Sequence, residues 1–195
     1  AAAQTFKLQF STTGTSTTSN WLDVSTQSDW WNSSWLYRKK IYFNNASATE
    51  DLYYYPVQVS LGTSNFTYSR AQSAGQDVRF TDSNGSPIPY EIERWTTTGT
   101  STVWTKVPKV DASSTTDYIW MYYGNSGAAD AQAPTQVWDS GYQNVLHLGD
   151  SNSTTTVVDS TANAYNATKR TTTSPVINSS SLIGSGQTFV GNPDY

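Results

Sequence analysis

The chain contains no cysteine, which excludes disulfide staples, thiol nucleophiles and thiolate metal sites together. One histidine, His147, carries all the imidazole chemistry available. A nucleophile–histidine–acid triad would depend on that residue, and a multi-histidine metal centre is excluded. Charge is also scarce, at 13% of residues, with a formal net charge of -4 and no basic cluster beyond Arg38-Lys39-Lys40. A phosphate backbone therefore finds no electrostatic footprint, and nucleic acid is not an expected partner. No apolar run approaches the roughly 20 residues that cross a bilayer, so no membrane span is expected in this segment. No stretch sustains apolar residues at helical spacing either, which leaves the all-β class with little competition.

What the chain does have is serine and threonine, 56 of its 195 residues, well above ordinary globular usage. Together with absent cysteine, this is the composition of an extracellular protein of a prokaryotic cell surface. Aromatic residues reach 14%, with 8 Trp and 13 Tyr, so the chain can bury enough apolar surface to fold without metal, disulfide or cofactor. The start, Ala1-Ala2-Ala3-Gln4, resembles the small-residue side of a signal-peptidase cut. Seven Asn-x-Ser/Thr sequons, at Asn32, Asn45, Asn65, Asn84, Asn152, Asn166 and Asn178, exceed the roughly four that chance predicts, and suggest a glycoprotein.

Residues Thr5 to Phe10 alternate, with Phe6, Leu8 and Phe10 on one face. The low-complexity stretch Ser11 to Asn20 follows, so residues 1–29 read as a strand on a Ser/Thr-rich tether. That strand either completes a sheet of its own chain or is donated to the sheet edge of a neighbouring subunit in a filament. From 30 to 126, strand signals recur at Tyr37/Ile41/Phe43, Tyr55/Val57/Val59/Leu61 and Val78/Phe80, with turn-rich pieces between them. Asp82-Ser83-Asn84-Gly85 predicts a tight hairpin, because Asn-Gly supplies positive φ angles. Pro87 and Pro89 place the returning strand at an edge, and Trp95 breaks its alternation and suggests a bulge. Tyr118 to Tyr123 is apolar on both faces and reads as a strand buried on both sides. Residues 127–136, small and polar, read as a linker with room for one short helix, and a new segment begins at 137.

Catalytic chemistry finds little material. Glu91 and Glu93 fall on one face of a strand, about 6.5–7 Å apart at their α-carbons, superficially a glycosidase pair. The competing reading is a solvated outer face opposite Ile88, Tyr90 and Ile92, and it is preferred, as is a structural role for His147. Asp82 and Asn84 resemble half of a calcium loop, but the further bidentate carboxylate is missing and turn chemistry suffices. Asp77 and Arg79 are expected to pair across the hairpin with Arg94 or Glu93. Trp30, Trp31, Trp95 and Trp104 are candidates for stacking on sugar rings, with core packing as the default for most of them.

Five ordered motifs carry a family resemblance: Trp35-Leu36-Tyr37-Arg38-Lys39-Lys40-Ile41, Asp77-Val78-Arg79-Phe80-Thr81-Asp82, Pro89-Tyr90-Glu91-Ile92-Glu93, Trp104-Thr105-Lys106-Val107-Pro108 and Tyr122-Tyr123-Gly124-Asn125. Over about 30–126 the chain resembles a family of uncharacterised prokaryotic surface domains described only as a domain of unknown function. The segment from Val145-Leu146-His147-Leu148 through Asp159-Ser160-Thr161-Ala162-Asn163 to Gly186-Gln187-Thr188-Phe189 resembles the opening of a laminin-G-like, concanavalin A-like jelly roll. The resemblance implies a jelly-roll-like antiparallel β-sandwich at 30–126 and an incomplete second sandwich at 137–195. It carries no catalytic residue. The expectation is a non-enzymatic structural or adhesive cell-surface protein, in one version a filament subunit joined through its N-terminal strand, with identical subunits, other surface proteins or glycans as partners. The alternative is a carbohydrate-binding module of a larger surface protein or glycoside-active enzyme.

Overall fold

A computed structural model describes residues 9–11, 21–23, 30–178 and 183–189. The chain divides into two compact units, Ala1–Ser33 and Ser34–Tyr195. In the first, β1 (Gln9–Ser11) pairs antiparallel with β2 (Trp21–Asp23), Phe10 opposite Leu22. Phe6 and Leu8 of the expected donor strand lie outside the described residues.

The second unit contains β3 (Tyr37–Tyr42), β4 (Leu52–Leu61), β5 (Arg79–Thr81), β6 (Pro87–Ile88), β7 (Tyr90–Arg94), β8 (Ser101–Val110) and β9 (Tyr118–Tyr123). They form two antiparallel sheets, of order β3-β9-β5-β6 and β4-β8-β7. Alternation decides what faces inward. Ile119, Met121 and Tyr123 of β9 meet Val59 and Leu61 of β4 and Val103 and Val107 of β8, with Phe66, Val78, Phe80, Ile88 and Tyr90 completing one core. The architecture is the all-β antiparallel sandwich that the strand signals predict.

The hairpin forms where Asn-Gly predicts it. Asp82 Oδ1 accepts the N–H groups of Asn84 (2.9 Å) and Ser86 (2.8 Å), and Gly85 takes φ +88°. Asp82 is thus a turn residue. The chain then leaves the first sheet at Pro89 and enters the second as β7, so the prolines mark the edge strand β6 and the crossing between sheets. The bulge falls at Glu93, between the pairs Ile92–Val103 and Arg94–Thr102. β9 is flanked by β3 and β5, with Tyr122 fully buried on the face opposite the core.

Asp77 does not join a cross-hairpin charge pair. It is fully buried: one carboxylate oxygen accepts the Gln72 N–H (2.8 Å), the other those of Gly124 (2.7 Å) and Asn125 (3.1 Å). Its carbonyl accepts the Trp35 indole N–H at 2.6 Å. Asp77 therefore ties the segments around Trp35, Asp77 and Gly124-Asn125 together, and Arg79 instead donates to Tyr90 Oη and the carbonyls of Gln76, Val78 and Ala129.

Residues 127–136, expected as a linker, run beside β7. Ala133 donates its N–H to the Tyr90 carbonyl (2.9 Å), and Gln132 Oε1 accepts the Ile92 N–H (2.5 Å). These bonds fill polar groups that the free edge of β7 would otherwise expose. A single helical turn, α1 (Pro134–Val137), begins on proline, whose missing N–H costs nothing there, and delivers Val137 and Trp138 to buried positions. Two short ladders follow, β10 (Thr156–Val157) with β11 (Ala167–Thr168), and β12 (Val176–Asn178) with β13 (Gly186–Thr188).

Candidate functional site

On β7 and β8 the alternation that sends Tyr90, Ile92, Val103 and Thr105 inward turns Glu91 and Trp104, a cross-strand pair, to the other face. That face is covered, contrary to the solvated surface expected for it, because Trp138, His147 and Ser160 close over it. Glu91 is only 8% exposed. Its Oε2 accepts the Trp138 indole N–H at 2.5 Å and faces His147 Nε2 at 3.1 Å, while Oε1 accepts the Ser160 hydroxyl at 2.5 Å. Glu93, at the bulge, lies on the same side. Its Oε2 accepts the Trp104 indole N–H at 2.6 Å and lies 3.4 Å from His147 Nδ1.

His147 therefore sits with one ring nitrogen toward each carboxylate, an arrangement that favours the protonated ring, in which both nitrogens are donors. Aromatic rings enclose it: Trp104 lies nearly parallel at 6.2 Å between centroids, Trp138 tilted at 5.8 Å, and the two tryptophans meet edge to face at 5.2 Å. Burial by itself would lower the His147 pKa, but the hydrogen bond and charge of Glu91, with the charges of Glu93 and Asp150, outweigh it and raise the value. Burial would likewise raise that of Glu91, yet the donors His147, Ser160 and Trp138, and the histidine charge, hold it below the ordinary carboxylate range.

A third carboxylate positions these partners. Asp159 accepts the N–H groups of Val145, Thr161 and Tyr165 and the Thr161 hydroxyl, all within 2.8–3.0 Å. Burial opposes ionisation, but those four donors depress its pKa strongly. Asp159 thereby joins the segment that carries His147 to the turn that carries Ser160. Leu148, next to His147, is held at φ +60°, a backbone state that costs a non-glycine residue about 1–2 kcal/mol. Gly184, at φ +56°, meets Glu93 so closely that a Cβ there would lie 1.9 Å from Oε1. The cluster borders a cleft of about 190 Å³, lined also by Gly149, Asp150 and Val158.

Chemically, two carboxylates gathered at one place have the composition of a glycosidase centre. A general acid needs a carboxyl held protonated by a raised pKa; Glu91 is shifted the other way, and each of its oxygens is filled by an internal donor. Among the described residues no group of three or more metal-ligating acids or histidines occurs.

The other sequence candidates fall elsewhere. Trp95 packs edge to face on Phe66 and Tyr68, and Trp104 is spent on Glu93 and His147; Trp30 and Trp31 are half-buried. Among the sequons, Asn45 and Asn65 use their side-chain amides on the Asp111 carbonyl (3.0 Å) and the Ser60 carbonyl (3.1 Å). Asn166 Oδ1 accepts the Asp159 N–H at 2.9 Å. Asn84, Asn152 and Asn178 are exposed, and Asn32 is half-buried. Sequence reasoning missed Trp138, Ser160 and Asp159 as members of the cluster. The aromatic restart at Val137-Trp138 and the dense Asp-Ser-Thr turn were the available signals, but neither names Glu91 as its target.

No curated protein and no solved structure matches the chain. One family does, over residues 74–171, a span that runs through 127–136 and includes Asp77, Glu91, Glu93, Trp104, Trp138, His147 and Ser160. Half of the chain is thereby matched, and the chain belongs to the family described as a domain of unknown function, DUF2341.

Proposed function

We propose that this chain is a non-catalytic, extracellular module of a prokaryotic cell surface, with a structural or adhesive role. The observation that carries the reading is the internally satisfied state of the carboxylate–histidine cluster on β7 and β8. Glu91, Glu93, His147, Trp104, Trp138 and Ser160 satisfy one another and brace residues 137–161 against the sheet. The Ser/Thr-rich, cysteine-free composition and the exposed sequons support the location. The short antiparallel ladders β10-β11 and β12-β13 support reading residues 137–195 as the opening of a laminin-G-like jelly roll, and the strand around Phe10 remains the proposed joint between subunits in the filament version.

Two measurements test this. Brief protease treatment of intact cells that make the protein should release its peptides, and retention of every peptide until lysis would remove the surface location. Incubation with a panel of glycosides should give no turnover; hydrolysis abolished by both Glu91→Gln and Glu93→Gln would make the cluster an active site and end the non-catalytic reading.

A further inference from the structure

A cleft of about 370 Å³ lies away from the carboxylate–histidine cluster. It is lined by Leu36 and Tyr37 at the start of β3, by Ser69, Arg70, Gln72 and Asp77 from the loop after β4, and by Gly124 and Ser126 after β9. Its volume falls at the small end of ligand sites, about 300–1,000 Å³.

Arg70 supplies the cleft's chemistry. Its guanidinium lies 4.6 Å over the Tyr37 ring, and Tyr37 in turn stacks on Tyr123 at 5.5 Å and 27°. The stack holds the cation in one place, and among the described residues no carboxylate or carbonyl takes its N–H donors. Most other described cations differ: Arg79 binds three carbonyls and Tyr90 Oη, Lys106 pairs with Asp139, Lys109 with Asp51 and Asp111, and Lys169 donates to two carbonyls. Asp77 also lines the cleft, but both its oxygens are filled by the N–H groups of Gln72, Gly124 and Asn125. Gln72 Nε2 is used on the carbonyls of Asn125 and Ala128. Ser69 and Ser126 are exposed and make no side-chain hydrogen bond, and Leu36 stands 67% exposed beside them. Gly124 keeps the floor open, since a Cβ there would lie 2.5 Å from the Tyr37 ring.

We infer that this cleft binds a carboxylated sugar, a uronic acid or its oligomer. The planar guanidinium fork fits a carboxylate through two parallel hydrogen bonds. The serine hydroxyls meet ring hydroxyls, and Leu36 with the carbon edge of Tyr37 covers a C–H face. The inference deepens the adhesive reading by naming a ligand class, and it rests on that reading for its biological sense.

The test is calorimetric titration of the full chain with D-glucuronate and with a galacturonate trimer, against D-glucose and an acidic tripeptide as controls. Saturable binding of the uronates, weakened about tenfold or more by Arg70→Gln as expected for loss of a charged hydrogen-bond partner, supports the site. Partial rescue by Arg70→Lys, which keeps charge and loses the fork, supports it further. Arg70 is exposed, so both variants should keep the wild-type circular dichroism. Absent saturation, equal binding of glucose, preference for the tripeptide, or undiminished binding by Arg70→Gln would each overturn the inference. If titration fails while protease still releases peptides from intact cells, the ligand site alone falls; if titration succeeds while release fails, the surface location falls.

Discussion

Replacing Glu91 with alanine strips the acceptor from the Trp138 indole, the Ser160 hydroxyl and one side of His147 at once. A hydrogen bond to a charged group contributes about 1.5–3 kcal/mol, so three of them set an upper bound near 5–9 kcal/mol. The Ser160 hydroxyl can rotate and His147 keeps Glu93, which brings the expected loss down to the 3–5 kcal/mol typical of removing one partner from a buried ionic cluster. Against a total of about 5–15 kcal/mol this is a large fraction. The assay is guanidinium unfolding followed by tryptophan fluorescence, with the slope held against wild type to verify that only stability has changed. Glu91→Gln should lose less, because an amide still offers one acceptor oxygen of the same shape. A loss below about 1 kcal/mol for Glu91→Ala would place the contact among surface ion pairs and refute the brace.

Stability should pass through a maximum in mildly acidic solution. The His147 pKa is raised on folding, so its contribution is complete below the ordinary 6.5 and is lost as pH rises through the folded value. Glu91 is lowered on folding, so its contribution is complete above the ordinary 4.5 and is lost as pH falls through the folded value. Chemical unfolding across this range should show wild type losing stability on the alkaline side, and Glu91→Gln should flatten that decline; an unchanged decline would detach it from the cluster. Gly124→Ala forces a Cβ into Tyr37 at a φ of +90° and should cost about 1–3 kcal/mol in the same assay. Tyr54, 66% exposed at φ +49°, should gain up to about 1 kcal/mol as asparagine, which tolerates that conformation; destabilisation would mean the tyrosine ring contributes packing.

Much of the sandwich was legible because its signals are local. Alternation in β3, β4 and β9, the Asn-Gly turn and the edge-marking prolines act over a few residues, and the structure follows them except at Tyr55, which stands 50% exposed beside the positive-φ residue Tyr54 instead of joining Val59 and Leu61 in the core. The cluster was not legible in this way. Period two puts Glu91 and Glu93 on one face, but it is silent on what lies over that face, and the covering residues Trp138, His147 and Ser160 are 47 to 69 positions from Glu91. A polar face opposite a core strand reads as solvated unless something distant caps it. The bulge at Glu93 was anticipated one turn of argument away, through Trp95, because broken alternation signals an extra residue without saying which one it is. Asp77 shows the same limit: its neighbours suggested a cross-strand pair, while its real partners are backbone N–H groups at Gly124 and Asn125.

The state of His147 tests the brace most directly. It is the chain's one histidine, so its ring resonances can be followed without ambiguity in an NMR titration of the folded protein. The account predicts a midpoint above the ordinary 6.5, falling in Glu91→Gln; a wild-type midpoint at or below 6.5 would contradict an imidazolium held between Glu91 and Glu93.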